Sequence, residues 1–231
     1  MTIALGFHCR ESVILGADTE ITGFVGKWQR EKIRNVIWTP EIGIATVFAG
    51  YVEYALMACD KILPRVLDHP MPEISSFVEV IEKAIQEVYE GPIVSFPGTE
   101  KPSFSLLIAI RISGEDFVHL IKTYDTAVRR ADSFESIGIG AELARYIGSK
   151  LFKGGLPAEE GALLAAYILH EAKNNVIGCG GSSIVLALEP NGLKMASPEN
   201  LGKLEQWFGT TRMPSNTLFA KILKKFGPIL E

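Results

Sequence analysis

Residues 1–20 read MTIALGFHCRESVILGADTE, two short apolar runs, TIALGFHC at 2–9 and SVILGADT at 12–19, parted only by Arg10-Glu11. A break that short joins antiparallel neighbours, whereas a parallel pair needs a crossover of a dozen residues or more. The stretch SVILGAD is apolar at consecutive positions, as a strand covered on both faces is. Two more runs, KIRNVIW at 32–38 and IGIATVFAG at 42–50, flank Thr39-Pro40-Glu41 and read as a second antiparallel pair. Four strands are therefore expected first.

The period then changes. In YVEYALMACDKILPRVL, Val52, Leu56, Met57, Ile62 and Leu63 form a helical stripe, which Pro64 is expected to bend or end early. In EISSFVEVIEKAIQEVY, Phe77, Val80, Ile81, Ala84, Ile85 and Val88 make an amphipathic helix expected to stop before Gly91-Pro92. The order then repeats. FSLLIAIRI and EDFVHLIKTYD form a hairpin across Ser113-Gly114, with TAVRRA as a further strand. A second helix pair covers AELARYIGSKLF and, begun by Pro157, AEEGALLAAYILHEAKN. SSIVLALEP and GLKMAS, split by Asn191-Gly192, return to strand, and SNTLFAKILKKF reads as a capped terminal helix. Hairpin-linked strands alternating with helix pairs exclude a doubly wound parallel sheet. Two antiparallel sheets stacked face to face, each with helices outside it, satisfy every apolar face. The expected fold is α+β, a four-layer αββα sandwich, in one domain over 1–231 with a C-terminal helical tail from about 213.

Composition narrows the partners. With 23 basic and 27 acidic residues, the net charge of −4 gives no electrostatic reason to expect nucleic acid or an anionic membrane. No apolar run reaches the roughly 20 residues a spanning helix requires, and no signal-like segment opens the chain. Cys9, Cys59 and Cys179 are too few and too irregular for a disulfide framework or paired zinc ligands, and suit a reducing, cytoplasmic setting. His8, His69, His119 and His170 form no pair at ligand spacing, so neither metal nor cofactor is expected. Gly138-Ile139-Gly140 lacks the third glycine of a dinucleotide loop, since Leu143 stands there, and reads as a strand-to-helix turn. Cys179, between glycines, reads as a small residue packed in a turn, Trp28 and Trp38 as core or interface, and Lys221, Lys224 and Lys225 as a solvated helix end.

Thr2 is a candidate for chemistry, although a threonine at position 2 is also common for reasons of translation and processing. Once Met1 is removed, its hydroxyl and free α-amine share one residue, and an amine titrating near ~8 can take the hydroxyl proton during attack on a carbonyl. A nearby lysine would favour the neutral amine, and a carboxylate would hold that lysine; the chain offers Asp18 and either Lys27 or Lys32.

The interval from Thr2 to Asp18, DTEIT from Asp18, KIR before a strand, VFAG ending at Gly50, GIG at 138–140 and GCGGSS entering a strand occur in one order over about the first 190 residues. As a set they resemble the β-type subunits of the proteasome family, and the threonine directly behind methionine is similar to the bacterial peptidase HslV. The resemblance implies the N-terminal nucleophile hydrolase fold and a threonine-type endopeptidase. It places the nucleophile on Thr2, the aspartate on Asp18 and the lysine on Lys32. It also implies peptide-pairing backbone at Thr22 and Gly50, an oxyanion donor at the Gly50 amide, and a pocket near Val52 for the residue before the cut. Self-association into rings, a peptide or unfolded-protein substrate and, by analogy, an ATP-dependent unfoldase follow from the same likeness. Three positions depart from it. Ile139 and Cys179 stand where the family has serine, and Asn175 approximates the family's aspartate only with one residue inserted. Those departures keep two alternatives in view: a catalytically silent structural subunit of such a ring, and an amidase of the same superfamily acting on a small amide.

Overall fold

The computed structural model describes residues 2–23, 26–68, 73–210 and 216–231; Met1, His69 and residues 213–215 of the expected tail lie outside them. The protein is mixed α+β, with antiparallel sheets and, among the described residues, six α-helices. Strands and helices are numbered in chain order. One five-stranded sheet is ordered β10 (Phe134–Gly138), β1 (Ile3–His8), β2 (Val13–Asp18), β11 (Ser183–Glu189), β12 (Gly192–Met195). The other runs β5 (Ile33–Trp38), β6 (Ile42–Gly50), β7 (Phe104–Ile112), β8 (Val118–Tyr124), β9 (Ala127–Ala131). A short hairpin, β3 (Glu20–Gly23) with β4 (Gly26–Gln29), stands apart from both.

The alternation of side chains along a strand sorts the interior into three apolar clusters. Ile3, Leu5 and Phe7 on one face of β1 pack with α3 (Ala141–Leu151), α4 (Ala158–Asn175), α5 (Pro198–Phe208) and α6 (Asn216–Phe226). Ala4 and, from β2, Val13, Leu15 and Ala17 cluster with Ala45, Val47, Leu107, Ala109 and Leu120 of the other sheet. Small side chains let the sheets approach closely here; a Cβ on Gly6 would come 3.2 Å from Leu120 of the other sheet. On the second sheet's other side, Ile44, Phe48, Ile108 and Ile110 meet Cys59 and Ile62 of α1 (Val52–Asp68) and Phe77, Ile81 and Ile85 of α2 (Ile74–Val88).

Two expectations are corrected. Helix α1 runs through Pro64 for 17 residues, because Ala55, Ala58, Cys59, Ile62 and Val66 are buried and Lys61 and Arg65 flank Pro64 with ion pairs to Glu87 of α2. Tertiary packing outweighs the one backbone hydrogen bond that proline removes. Helix α2 ends at Val88, before Gly91-Pro92 as expected, and the backbone then makes one π-helical turn, Tyr89–Ile93. Six strands, not four, precede the first helix, the additions being β3 and β4. Their residues are mostly exposed and glycine-ended, so no apolar alternation marks them.

Candidate active site

The hairpin that opens the chain sets the site. In the β1–β2 register Ala4 faces Ala17, so Asp18 at the end of β2 falls opposite Ile3 and beside Thr2. Lys32 comes from the second sheet, one residue before β5, where its carbonyl accepts from the amide of Phe48, 3.2 Å away. The third contributor is the glycine-rich turn into β11, whose Gly180 amide reaches Asp18.

The polar groups account for one another. Asp18 Oδ1 accepts from Thr2 Oγ and Lys32 Nζ, each at 2.5 Å, and from the Ile3 amide at 3.2 Å, while Oδ2 accepts from the Gly180 amide at 2.9 Å. Lys32 Nζ also donates to Thr2 Oγ and to the Glu20 carbonyl, so its three protons have three acceptors. All three residues are buried, with Asp18 fully so. A buried ion pair stands only when its remaining donors and acceptors are matched, as here. Burial pushes the Lys32 ammonium below its ordinary value, and the Asp18 carboxylate works against that shift. The result is a lysine held against a hydroxyl and drawn toward its neutral form.

Two glycines fix the backbone around Thr2. Gly138, at φ +88°, passes so close that a Cβ would collide with the Thr2 carbonyl oxygen, and the Gly140 amide donates to that oxygen at 3.3 Å. Gly50, at φ +99°, ends β6. The Phe48 amide points toward β5 and Tyr51 donates to Ser103, so by strand alternation the Gly50 amide points to the β5 side, past the start of that strand. Beside Thr2 lies an open cleft of about 550 Å³ that Thr22, Gly50 and Val52 help to line. The structure thus brings together Thr2, Asp18 and Lys32, and sets Thr22, Gly50 and Val52 along the adjoining cleft.

Other candidates fall elsewhere. Lys27 pairs with Glu20 at 2.8 Å, with its side chain largely in solvent. Asn175 is exposed and donates to the Glu171 carbonyl at 2.8 Å. Cys179 packs near Gly140, and burial pushes its thiol up to about 12, which leaves it protonated at neutral pH. Ile139 is half-exposed in the cleft and offers no hydroxyl. Trp28 and Tyr51, missed as site residues, also line the cleft; the sequence holds no local signal for them, because they meet only through the tertiary fold. The carbonyl of Glu20 and the amide of Gly180 were missed as well, although GCGG flagged the second region. Among the described residues, no group of three or more His, Cys, Asp or Glu is placed to hold a metal ion, and no helix is long and apolar enough to cross a membrane.

No protein-family model matches the chain, and no curated protein matches it. Solved structures do. Anbu from Hyphomicrobium sp. strain MC1 aligns with a TM-score of 0.74 at 15% identity, over 90% of this chain and 94% of that one. Anbu from Yersinia bercovieri, described as an ancestral beta-subunit, gives 0.76 at 12% identity, over 92% and 98%. The Anbu complex from Pseudomonas aeruginosa, solved as a helical assembly, gives 0.77 at 12% identity, over 96% of each chain. At such low identity and near-complete mutual coverage, the likeness is one of fold: this chain has the fold of the Anbu structures.

Proposed function

We propose that this protein is a threonine-type peptidase of the proteasome β-subunit kind, acting once Met1 is removed. The observation that carries this reading is the buried contact of Thr2 Oγ with both Lys32 and Asp18 at the edge of an open cleft. In the reaction, the Thr2 Oγ–H proton passes to the freed α-amine, which Lys32, anchored by Asp18, favours in its neutral form. Oγ bonds to the substrate carbonyl carbon, and the Gly50 amide faces the developing oxyanion. The C–N bond then breaks, and the proton goes to the leaving amine. Water adds to the ester, releases the acid and restores the hydroxyl. Thr22 and Gly50 would pair with the peptide as an added strand, and Val52 would stand beside the residue before the cut.

The same reading takes in one domain over 1–231, a four-layer αββα arrangement and a C-terminal helical tail from about 213. The inter-sheet cluster and the two sheet–helix clusters support the layering. Self-association into rings or a related assembly is supported by the helical assembly of the P. aeruginosa Anbu complex. An unfolded polypeptide substrate, an ATP-dependent unfoldase and a cytoplasmic setting belong to the proposal by analogy with proteasome-like enzymes.

A catalytically silent subunit is the second reading, favoured by Ile139 in the cleft and by Asn175 bonded to Glu171 on the surface. Intact mass of the protein from its native host, followed by an electrophilic peptide probe, separates the two. Loss of methionine and an adduct on Thr2 are expected. Full retention of methionine with no adduct sinks the peptidase reading in favour of the silent subunit. Peptide substrates tested beside small amides separate the peptidase from an amidase.

A further inference from the structure

On the peptidase reading above, we propose that the site selects a glycine or alanine at the residue whose carbonyl Thr2 attacks, with uncharged apolar side chains on its neighbours. Two voids of very different size meet at Thr2. The open cleft of about 550 Å³ includes Trp28, Tyr51 and Ile139 in its lining. The second void shares Thr2, Ile21, Gly50 and Val52 with that cleft and continues to Lys32, Phe48 and Ala49, yet it encloses only about 10 Å³. That is room for about one water-sized group, comparable to a methyl.

Geometry assigns a substrate side chain to each. A peptide lying as an added strand turns alternate side chains to opposite faces. Attack requires its carbonyl carbon about 3 Å from Thr2 Oγ, with the oxygen toward the Gly50 amide. The side chain one bond from that carbonyl then points inward, between Ile21 and Val52, toward Phe48 and Lys32. Phe48 is 1% exposed and packed among the residues of α1 and α2, so it cannot swing aside to make room. The side chains on either neighbour face the open cleft. There Trp28, Tyr51 and Ile139, each about half exposed, come from β4, the start of α1 and the β10–α3 connection. The one charged residue in that lining is Glu53, whose carboxylate already pairs with Arg30 at 3.1 Å. Apolar neighbours are therefore favoured over charged ones.

The test uses the Met1-free protein and vinyl sulfone probes of sequence Leu-Leu-X, with X as Ala, Leu, Phe or Glu, reading the rate of adduct formation on Thr2 by mass. The Ala probe is expected to react at least ~10-fold faster than the Leu and Phe probes, the usual scale for overfilling an apolar subsite. Phe48→Leu, which keeps most of the core volume, and Val52→Ala, at the rim, should each narrow that gap. Equal rates for Ala and Leu overturn the selectivity and leave the peptidase reading standing. No adduct with any probe overturns the peptidase reading, and the selectivity with it. An Ala preference that neither variant changes, in proteins whose melting transitions remain cooperative, overturns the assignment of Phe48 and Val52 as the limiting walls.

Discussion

Thr2, Lys32 and Asp18 can be probed one atom group at a time. Thr2→Ala removes the nucleophile, so probe labelling should fall at least ~100-fold. It leaves the Lys32–Asp18 pair in place, so stability should change by no more than about 1.5 kcal/mol in urea denaturation. Lys32→Ala is different in kind. It strands a fully buried Asp18 carboxylate without its cation, and a loss of about 3–5 kcal/mol in the same measurement is expected. Full stability in that variant would mean that the ion pair is not formed in solution. The pH dependence follows from the α-amine and the lysine beside it. The freed α-amine takes the hydroxyl proton only when neutral, a form the charged Lys32 favours, and burial lowers the pH at which Lys32 gives up that charge. Labelling of Thr2 should therefore rise with pH through the ordinary α-amine range of ~8 or below it and fall again below the ordinary lysine value of ~10.4, and a rising limb that only begins there counts against the site as drawn. Thr2 and Asp18 were legible as the bounds of the opening apolar hairpin, whereas only the resemblance to proteasome β subunits singled out Lys32 over Lys27. Trp28 and Tyr51 were not legible, since they lie on separate elements and meet only when the fold is complete.

Among the elements, the glycines at strand ends hold Thr2 in place. Gly138 combines a left-handed φ of +88° with an approach that leaves no space for a Cβ beside the Thr2 carbonyl. Gly138→Ala should cost about 1–3 kcal/mol through backbone strain and, by displacing Thr2, also reduce labelling. Unchanged labelling with the stability loss would uncouple the turn from the nucleophile. The same scale explains what the sequence reading caught. Central strands such as β2 and β6 carry apolar runs, helix α2 a clear apolar stripe and helix α4 a continuous apolar run, so burial itself wrote their pattern. The hairpin β3–β4 was invisible because most of its residues face solvent, yet it supplies the Glu20 carbonyl that holds Lys32. Helix α5 was overlooked although its start is written locally. Ser197 caps it by accepting from the Asn200 amide at 3.2 Å, and Pro198 occupies its first turn, a signature that needs no tertiary context.

At the scale of the whole molecule, the proposal depends on self-association. The described surface carries large apolar side chains that the chain leaves uncovered, including Ile177 at 88% exposure, Tyr124 and Tyr146. Singly such residues are ordinary, so they do not by themselves define an interface. Association into a ring or related assembly is part of the proposed function and can be measured directly. In sedimentation velocity at micromolar concentration, the protein should migrate as a multi-subunit species, well above its chain mass of 25.3 kDa. If labelling also needs the assembled form, Thr2 reactivity should fall on dilution in step with the loss of the heavy species, since linked equilibria share one concentration dependence. A monomer with full Thr2 reactivity would keep the chemistry and remove the ring. A heavy species without reactivity would instead match the silent subunit, in which Ile139 stands in the place of the hydroxyl.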